Sequence, residues 1–176
     1  TKEEYRQSLN DGREIYWGGE KITDVTRHPR FTVPIEVAAS DYSYEDPELR
    51  ELMVYKDDKG RPAHRIYQVP ETEEALQMRL KLGKSLSIVG GVTGVFMALL
   101  QSKDKLAGIN PLFAENIQNM YEYARDKDLR AAEVITDAKG DRSKKAHEQI
   151  DPDLYLRIVK KDKKGIVVRG AKLHIT

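Results

Sequence analysis

The side chains best suited to binding chemistry lie in residues 135–145, whose sequence is ITDAKGDRSKK. Gly140 permits a close approach of the backbone to a ligand, and Arg142 can form a bidentate contact with a phosphate ester. The side chains that can accept hydrogen bonds from amide or ribose donors are Asp137, Asp141 and Gln149. The stretch lacks the Gly-Lys-Ser/Thr ending of a P-loop. It is therefore either an anion-binding loop or a solvated connector between two domains.

Other motifs in the chain do not predict a nucleotide or metal site. Residues 89–94, VGGVTG, lack the first glycine of a dinucleotide fingerprint and continue a helical pattern instead of following a strand. The four histidines are scattered without metal-ligand spacing, so we expect no metal site. With no cysteine, the chain supplies no thiolate ligand, disulfide or cysteine nucleophile.

Composition is that of a globular protein: 39% of the 176 residues are hydrophobic, 34% are charged, and the net charge is +1. This balance gives no reason to expect a nucleic acid or an anionic membrane as a partner. The longest apolar stretch, residues 86–100, is shorter than the roughly 18–20 residues of a membrane span. We expect a buried core helix there and a cytoplasmic protein.

The elements before residue 71 are predicted to be short. Gly18-Gly19 between extended runs is typical of a two-residue hairpin. Pro29 and Pro34 favour an irregular connector, which precedes a helix over 35–44. Residues 56–70 resemble a turn between extended pieces. Helix starts are predicted after the caps Thr1, Asp46 (with Pro47 at the first helical position) and Thr72.

From Thr72 to residue 102 apolar residues recur at three- and four-residue spacing, which predicts a helical region whose glycines allow close packing or a kink. A second amphipathic helix is predicted over 111–135. Alternating runs on either side of residues 162–164 predict a β-hairpin. The expected class is α+β, with a mainly helical domain over 1–134 and the opening of a β domain over 135–176. Since a lone hairpin is marginally stable, we expect a fragment or one piece of a two-chain assembly.

Three long stretches resemble one family of flavoproteins. They are TDAKGDRSKKAHEQIDPDLYLRIVKKDKKGIVVRGAKLHIT at 136–176, EEYRQSLNDGREIYWGGEKITDVTRHPRF at 3–31, and FAENIQNMYEYARDKDL at 113–129. The chain is similar to the first part of the 4-hydroxyphenylacetate 3-hydroxylase / 4-hydroxybutyryl-CoA dehydratase family. The resemblance implies FAD as cofactor and an acyl-CoA-dehydrogenase-like fold, with an N-terminal helical domain followed by the start of a β-barrel domain. It also implies a homotetramer, or a hetero-oligomer whose other chain supplies the missing β and C-terminal helical domains.

The resemblance assigns roles to individual positions. Flavin contacts are implied for Thr136, Asp137, Lys139, Gly140, Asp141, Arg142 and Thr176. Gly91 and Val95 stand where the hydroxylase branch has substrate-binding Arg and Tyr, and Glu133 stands where it has a His. Leu86 and Gly90 stand where the dehydratase branch has two cysteines, so no iron–sulfur cluster is expected.

Three functions fit these residues. The first is a FAD-dependent enzyme that removes an α/β hydrogen from a CoA thioester, with Glu133 as the acid/base if it is buried. The second is the oxygenase component of a two-component flavin monooxygenase acting on a phenolic acid. The third is a non-catalytic subunit of a flavoprotein complex.

Overall fold

The computed structural model describes residues 1–163 and 165–173, with every side chain in these ranges except that of Ile88. The chain divides into two compact units, Thr1–Ala131 and Ala132–Thr176. Helices and small antiparallel sheets are mixed along it. The helices are Lys2–Ser8 (α1), Thr32–Ala39 (α2), Pro47–Met53 (α3), Glu73–Gly83 (α4), Ile88–Thr93 (α5), Val95–Ala107 (α6) and Pro111–Asp126 (α7). Among the described residues, no helix has the length and apolar character needed to cross a membrane.

The strands pair in three antiparallel hairpins within the described part of the chain. The first unit contains Ile15–Trp17 (β1) with Glu20–Ile22 (β2), and Val54–Lys56 (β3) with Pro62–His64 (β4). The second contains Arg157–Asp162 (β5) with Gly165–Arg169 (β6). The hairpins predicted around Gly18-Gly19 and residues 162–164 are confirmed, because Trp17 pairs with Glu20 and Asp162 with Gly165.

The three predicted helix caps are confirmed. The Thr1 hydroxyl accepts from Glu4 N at 3.2 Å, and the Thr72 hydroxyl accepts from Ala75 N at 3.1 Å. The Asp46 carboxylate accepts from Glu48 N at 2.9 Å and precedes Pro47 at the first helical position. Each cap satisfies a backbone donor that the helix itself leaves free.

The prediction of an irregular connector up to Pro34 was wrong for its last three residues. Helix α2 begins at Thr32, so Pro34 lies in its first turn and the helix ends at Ala39. A proline there costs no intrahelical hydrogen bond, since the first four N–H groups of a helix have no partner within it.

The helical region predicted from Thr72 is broken into α4, α5 and α6. Between α4 and α5 the backbone N–H and hydroxyl of Ser87 donate to the buried carboxylate of Asp41, at 2.8 and 2.5 Å. Ser87 in turn accepts from Gly90 N at 3.1 Å and caps α5. A contact with a distant residue therefore lies at the first interruption of the predicted helical region.

Helix α7 ends nine residues earlier than predicted, at Asp126 and not at Ile135. Asp128 adopts a left-handed conformation, φ 49°, which terminates the helix. Its carbonyl accepts from the Tyr42 hydroxyl at 3.1 Å, and the carbonyl of Leu129 accepts from the Tyr67 hydroxyl at 2.6 Å. Buried tyrosines thus fix the chain after the helix.

The core of the first unit is largely aromatic. Its buried cluster consists of Ile66, Tyr67, Phe96, Tyr121 and Ala124. The Tyr67 ring lies 5.9 Å from Phe96 and 6.1 Å from Tyr121, centroid to centroid, and the Tyr121 hydroxyl donates to the Tyr67 carbonyl. This packing joins α6 and α7 to the segment that follows β4.

Candidate cofactor-binding site

A cavity of about 340 Å³ in the second unit collects most of the predicted cofactor residues. It is lined by Thr136, Asp137, Ala138, Lys139, Gly140, Arg142, Tyr155 and Leu173. The predicted residues Asp141 and Gln149 do not line it, and Thr176 lies outside the described residues. Five of the predicted cofactor-binding residues therefore lie together in the wall of this cavity.

The start of the loop is fixed by the segment after β6. Leu173 N donates to the carbonyl of Thr136 at 2.7 Å. The Lys172 ammonium lies 2.5 Å from Asp137 Oδ1 and donates to the carbonyl of Ile135 at 3.0 Å. Asp137 is therefore committed to an ion pair within the unit.

The far side of the loop is held by the buried amide of Gln149. Asp141 N donates to Gln149 Oε1 at 2.9 Å, and Gln149 Nε2 donates back to the Asp141 carbonyl at 2.8 Å. Nε2 also lies 3.3 Å from the Lys144 carbonyl and 3.4 Å from the Lys145 carbonyl. With its oxygen and both amide hydrogens engaged, Gln149 is suited to shaping the loop.

Gly140 is explained by packing inside the unit. A Cβ at this position would lie 2.5 Å from Leu154 Cδ2, 2.6 Å from Gln149 Oε1 and 2.9 Å from the Tyr155 hydroxyl. Real Cβ atoms do not approach so closely, so only glycine fits without a shift of these neighbours. The space expected for a phosphate on this side of Gly140 is filled by the chain's own side chains.

Of the charged side chains around the cavity, the acidic ones have partners and two basic ones do not. Asp141 accepts from the Ser143 hydroxyl at 2.6 Å and from Ser143 N at 3.0 Å, and the hydroxyl contact holds the pKa of its carboxyl below the usual value. Asp137 is paired with Lys172. By contrast, the exposed side chains of Lys139 and Arg142 make no hydrogen bond or ion pair with any other described residue. The cavity therefore carries two uncommitted cations, which suits an anionic ligand.

The proposed substrate positions have different surroundings. Gly91 is exposed, and a Cβ there would meet nothing within 4 Å. Val95 is half-buried against the aromatic core of the first unit. Glu133, in the second unit, is exposed, so the burial that an acid/base role required of it is not present in this structure.

The residues present do not fit an iron–sulfur cluster of the kind that the resemblance associates with the dehydratase branch. The chain has no cysteine. At Gly90 a Cβ would lie 2.6 Å from Asp41 Oδ2 and 2.9 Å from Leu86 Cδ2. No thiolate side chain has room there while Asp41 binds Ser87.

Comparison with known sequences decides the family. The family model described as "4-hydroxyphenylacetate 3-hydroxylase N terminal" matches residues 1–176. The chain belongs to this family. Within it, the chain is 32% identical to the 4-hydroxyphenylacetate 3-monooxygenase oxygenase component of Thermus thermophilus, over 100% of this chain and 38% of the relative. It is 33% identical to the 4-hydroxybutyryl-CoA dehydratase/vinylacetyl-CoA-Delta-isomerase of Clostridium aminobutyricum, again over 100% and 38%.

A solved structure of this hydroxylase family has the same fold as the chain. The oxygenase component of 4-hydroxyphenylacetate 3-monooxygenase, complexed with FAD and 4-hydroxyphenylacetate, matches with a TM-score of 0.77 and 32% identity. The match covers 98% of this chain and 38% of that one. The chain thus spans little more than a third of the length of these relatives.

Sequence reasoning did not identify Tyr155, Lys172 and Leu173 as residues of the site. An isolated parallel bridge pairs Tyr155 with Ala171, and an isolated antiparallel bridge pairs the neighbouring Lys172 with Asp137 of the loop. Tyr155 was visible only as one residue of the DPDLYLRIV run, whose alternation predicts a strand and not a cavity wall. No spacing rule could have predicted these pairings.

Proposed function

We propose that this chain is the FAD-binding N-terminal part of a flavin-dependent enzyme of the hydroxylase family. The observation that carries the proposal is the cavity beside residues 136–142, with Lys139 and Arg142 uncommitted to any described residue. When bound, FAD would supply the redox chemistry, and the protein would supply binding and orientation.

The roles of the loop residues follow from their contacts. Lys139 and Arg142 would bind the pyrophosphate, because their side chains are free and cationic. Thr136, Asp137 and Gly140 would form the wall of the flavin site, while Asp141 and Gln149 would hold its shape. Thr176 is retained as a flavin contact on the strength of the resemblance alone.

We also propose the finer architecture. Residues 1–134 would form the helical domain of an acyl-CoA-dehydrogenase-like fold, and residues 135–176 would open its β-barrel domain. The match to the oxygenase component over 98% of this chain supports this assignment. Further parts of the active site would come from residues outside this chain, in a homotetramer or in a hetero-oligomer with a completing chain.

For the substrate we favour a phenolic acid over a CoA thioester. The oxygenase component that matches the chain at a TM-score of 0.77 is complexed with 4-hydroxyphenylacetate. The lack of room for a thiolate at Gly90 weighs against a cluster-dependent dehydration. Gly91 and Val95 would then lie beside the ring, and Glu133 would serve as the acid/base only where another part of the protein covers it.

A thioester substrate is the second candidate, because the identity to the Clostridium dehydratase/isomerase, 33%, is close to the 32% identity to the Thermus oxygenase component. Without a cluster, the reaction would be limited to removal of an α/β hydrogen by the flavin and a base of the protein.

The deciding experiment is an absorption spectrum of the natively purified protein, together with any chain that accompanies it. Flavin bands, present at once or after incubation with excess FAD, are expected. Anaerobic bleaching by butanoyl-CoA would identify a thioester enzyme. Conversion of 4-hydroxyphenylacetate to a catechol with reduced FAD and O₂ would identify a phenol oxygenase. Failure to bind FAD at all would refute the proposal and favour a non-catalytic subunit.

A further inference from the structure

The aromatic side chain of Tyr155 forms part of the wall of the cavity in the second unit. It lines this cavity together with Lys139, Gly140 and Arg142. A Cβ built on Gly140 would lie 2.9 Å from the Tyr155 hydroxyl oxygen, so this oxygen stands directly beside the backbone of the loop. The phenol therefore belongs to the same wall as the two cations.

The Tyr155 hydroxyl is open to the cavity and has no hydrogen-bond partner among the described residues. Gln149 Oε1 lies on the same side of Gly140, but it accepts from Asp141 N and not from the phenol. Tyr155 is half-buried, and its oxygen is not one of the buried side-chain atoms that lack a partner, so the oxygen retains accessible surface. A polar group in the cavity can therefore reach this hydroxyl.

The backbone of Tyr155 is held closely by the end of β6. Tyr155 pairs with Ala171 in an isolated parallel bridge. A Cβ on Gly170 would lie 2.6 Å from both the Tyr155 carbonyl carbon and Leu156 Cα, so glycine is required for this approach. Gly170 also has a φ of 135°, which other residues rarely adopt. The phenol is thus attached to backbone that is fixed before any ligand binds, which lowers the cost of ordering it.

The charges of the wall favour an anionic partner for this hydroxyl. Lys139 and Arg142 are exposed and make no ion pair with another described residue, whereas Asp137 is paired with Lys172. The positive charge of the wall is therefore in excess. An O–H group beside such cations is suited to donate to a negatively charged oxygen, and a hydrogen bond to a charged acceptor is stronger than one between neutral groups.

We propose that Tyr155 is a further FAD-binding residue, whose hydroxyl donates a hydrogen bond to the pyrophosphate beside Lys139 and Arg142. This assignment rests on the proposed function, because it takes FAD to be the ligand of the cavity. The two cations supply an attraction that salt screens, while the phenol supplies a neutral and directed donor.

The test is equilibrium dialysis of the natively purified protein, together with any chain that accompanies it, against FAD and against riboflavin, which has no phosphate. Tyr155→Phe keeps the aromatic ring and removes only the hydroxyl. Tyr16→Phe is the matched control variant. Tyr16 is exposed on β1, its hydroxyl has no partner among the described residues, and it lies outside the cavity.

Tyr155→Phe should weaken FAD binding by about tenfold, in line with the loss of one hydrogen bond to a charged group, and should leave riboflavin binding unchanged. The loss should persist at high salt, because a neutral donor is not screened as an exposed ion pair is. Tyr16→Phe should bind FAD as the wild type does.

The outcomes separate this assignment from the proposed function. If the wild type binds FAD and Tyr155→Phe binds it equally tightly, Tyr155 is not a cofactor-binding residue, although the proposed function stands. An equal loss for FAD and riboflavin would also overturn the phosphate contact, because a disturbed loop affects both ligands. A wild type that does not bind FAD would refute the proposed function and this assignment with it.

Discussion

The side-chain amide of Gln149 pairs with the main chain of Asp141 as a neighbouring strand would. Asp141 N donates to Gln149 Oε1 at 2.9 Å, and Gln149 Nε2 donates to the Asp141 carbonyl at 2.8 Å. Gln149 is 8% exposed, so water competes little for these bonds. One buried side chain thereby sets the conformation of the loop that carries Arg142.

Gln149→Glu should loosen this loop. The carboxylate cannot donate to the Asp141 carbonyl and would repel it, at a cost of about 1–3 kcal/mol for a buried unsatisfied group. Amide hydrogen exchange at Asp141 should accelerate markedly. Gln7→Glu is a suitable control because Gln7 is on the exposed surface of α1. Unchanged exchange at Asp141 would show that the Gln149 amide does not hold the loop.

Arg142→Gln should weaken FAD binding by the natively purified protein by about tenfold, since one charge-assisted contact is lost. Lys139→Gln should have a similar effect, and the loss should shrink at high salt because charge pairing at exposed groups is screened. Lys161→Gln provides the comparison, as Lys161 is exposed on β5 and outside the cavity. Equilibrium dialysis with FAD measures all three; an affinity equal to that of wild type would remove Arg142 from the site.

Gly90→Ala should destabilise the first unit while Gly91→Ala should not. The added methyl group at position 90 would meet Asp41 Oδ2 at 2.6 Å, and such overpacking costs about 1–3 kcal/mol. At position 91 it would meet nothing within 4 Å, and replacing a helical glycine gains about 0.5–1 kcal/mol. Urea unfolding followed by circular dichroism compares the pair. Equal stabilities would mean that Asp41 can move away from α5.

Stability should fall as the pH is lowered below about 6.5, the ordinary pKa of histidine. The folded protein holds the pKa of His64 at about 3 by burial, so between these values the unfolded chain binds a proton that the folded chain does not. Protonation of His64 can change the free energy of unfolding by at most about 1.4 kcal/mol per pH unit. Its contribution to stability is fully present above pH 6.5.

His64→Asn tests this assignment, because an amide oxygen can still accept from Ile66 N but does not titrate. In this variant, the free energy of unfolding measured with urea should lose the part of its pH dependence between pH 6.5 and pH 4 that comes from His64. His147→Asn, at an exposed position, should keep the wild-type slope. If the free energy of unfolding of His64→Asn falls with pH as steeply as that of the wild type, the pH dependence comes from the carboxylates and not from His64.

The sequence by itself determined the local features. Thr1, Asp46 and Thr72 cap helices within the next three residues, and the turns of the hairpins are equally short-range. Such features depend on neighbouring residues, so composition and spacing predict them. The sequence also determined the family, because the family model matches residues 1–176.

Only the tertiary structure decided where the long helical region breaks and what surrounds the loop. Asp41 binds Ser87 across 46 residues, and Lys172 reaches Asp137 across 35. Tyr155 pairs with Ala171 through a single bridge. These contacts depend on how distant segments pack, and hydrophobic periodicity carries no information about which of them meet. The pairing of Lys172 with Asp137, which leaves Lys139 and Arg142 as the cations of the cavity wall without a partner among the described residues, follows from the same packing.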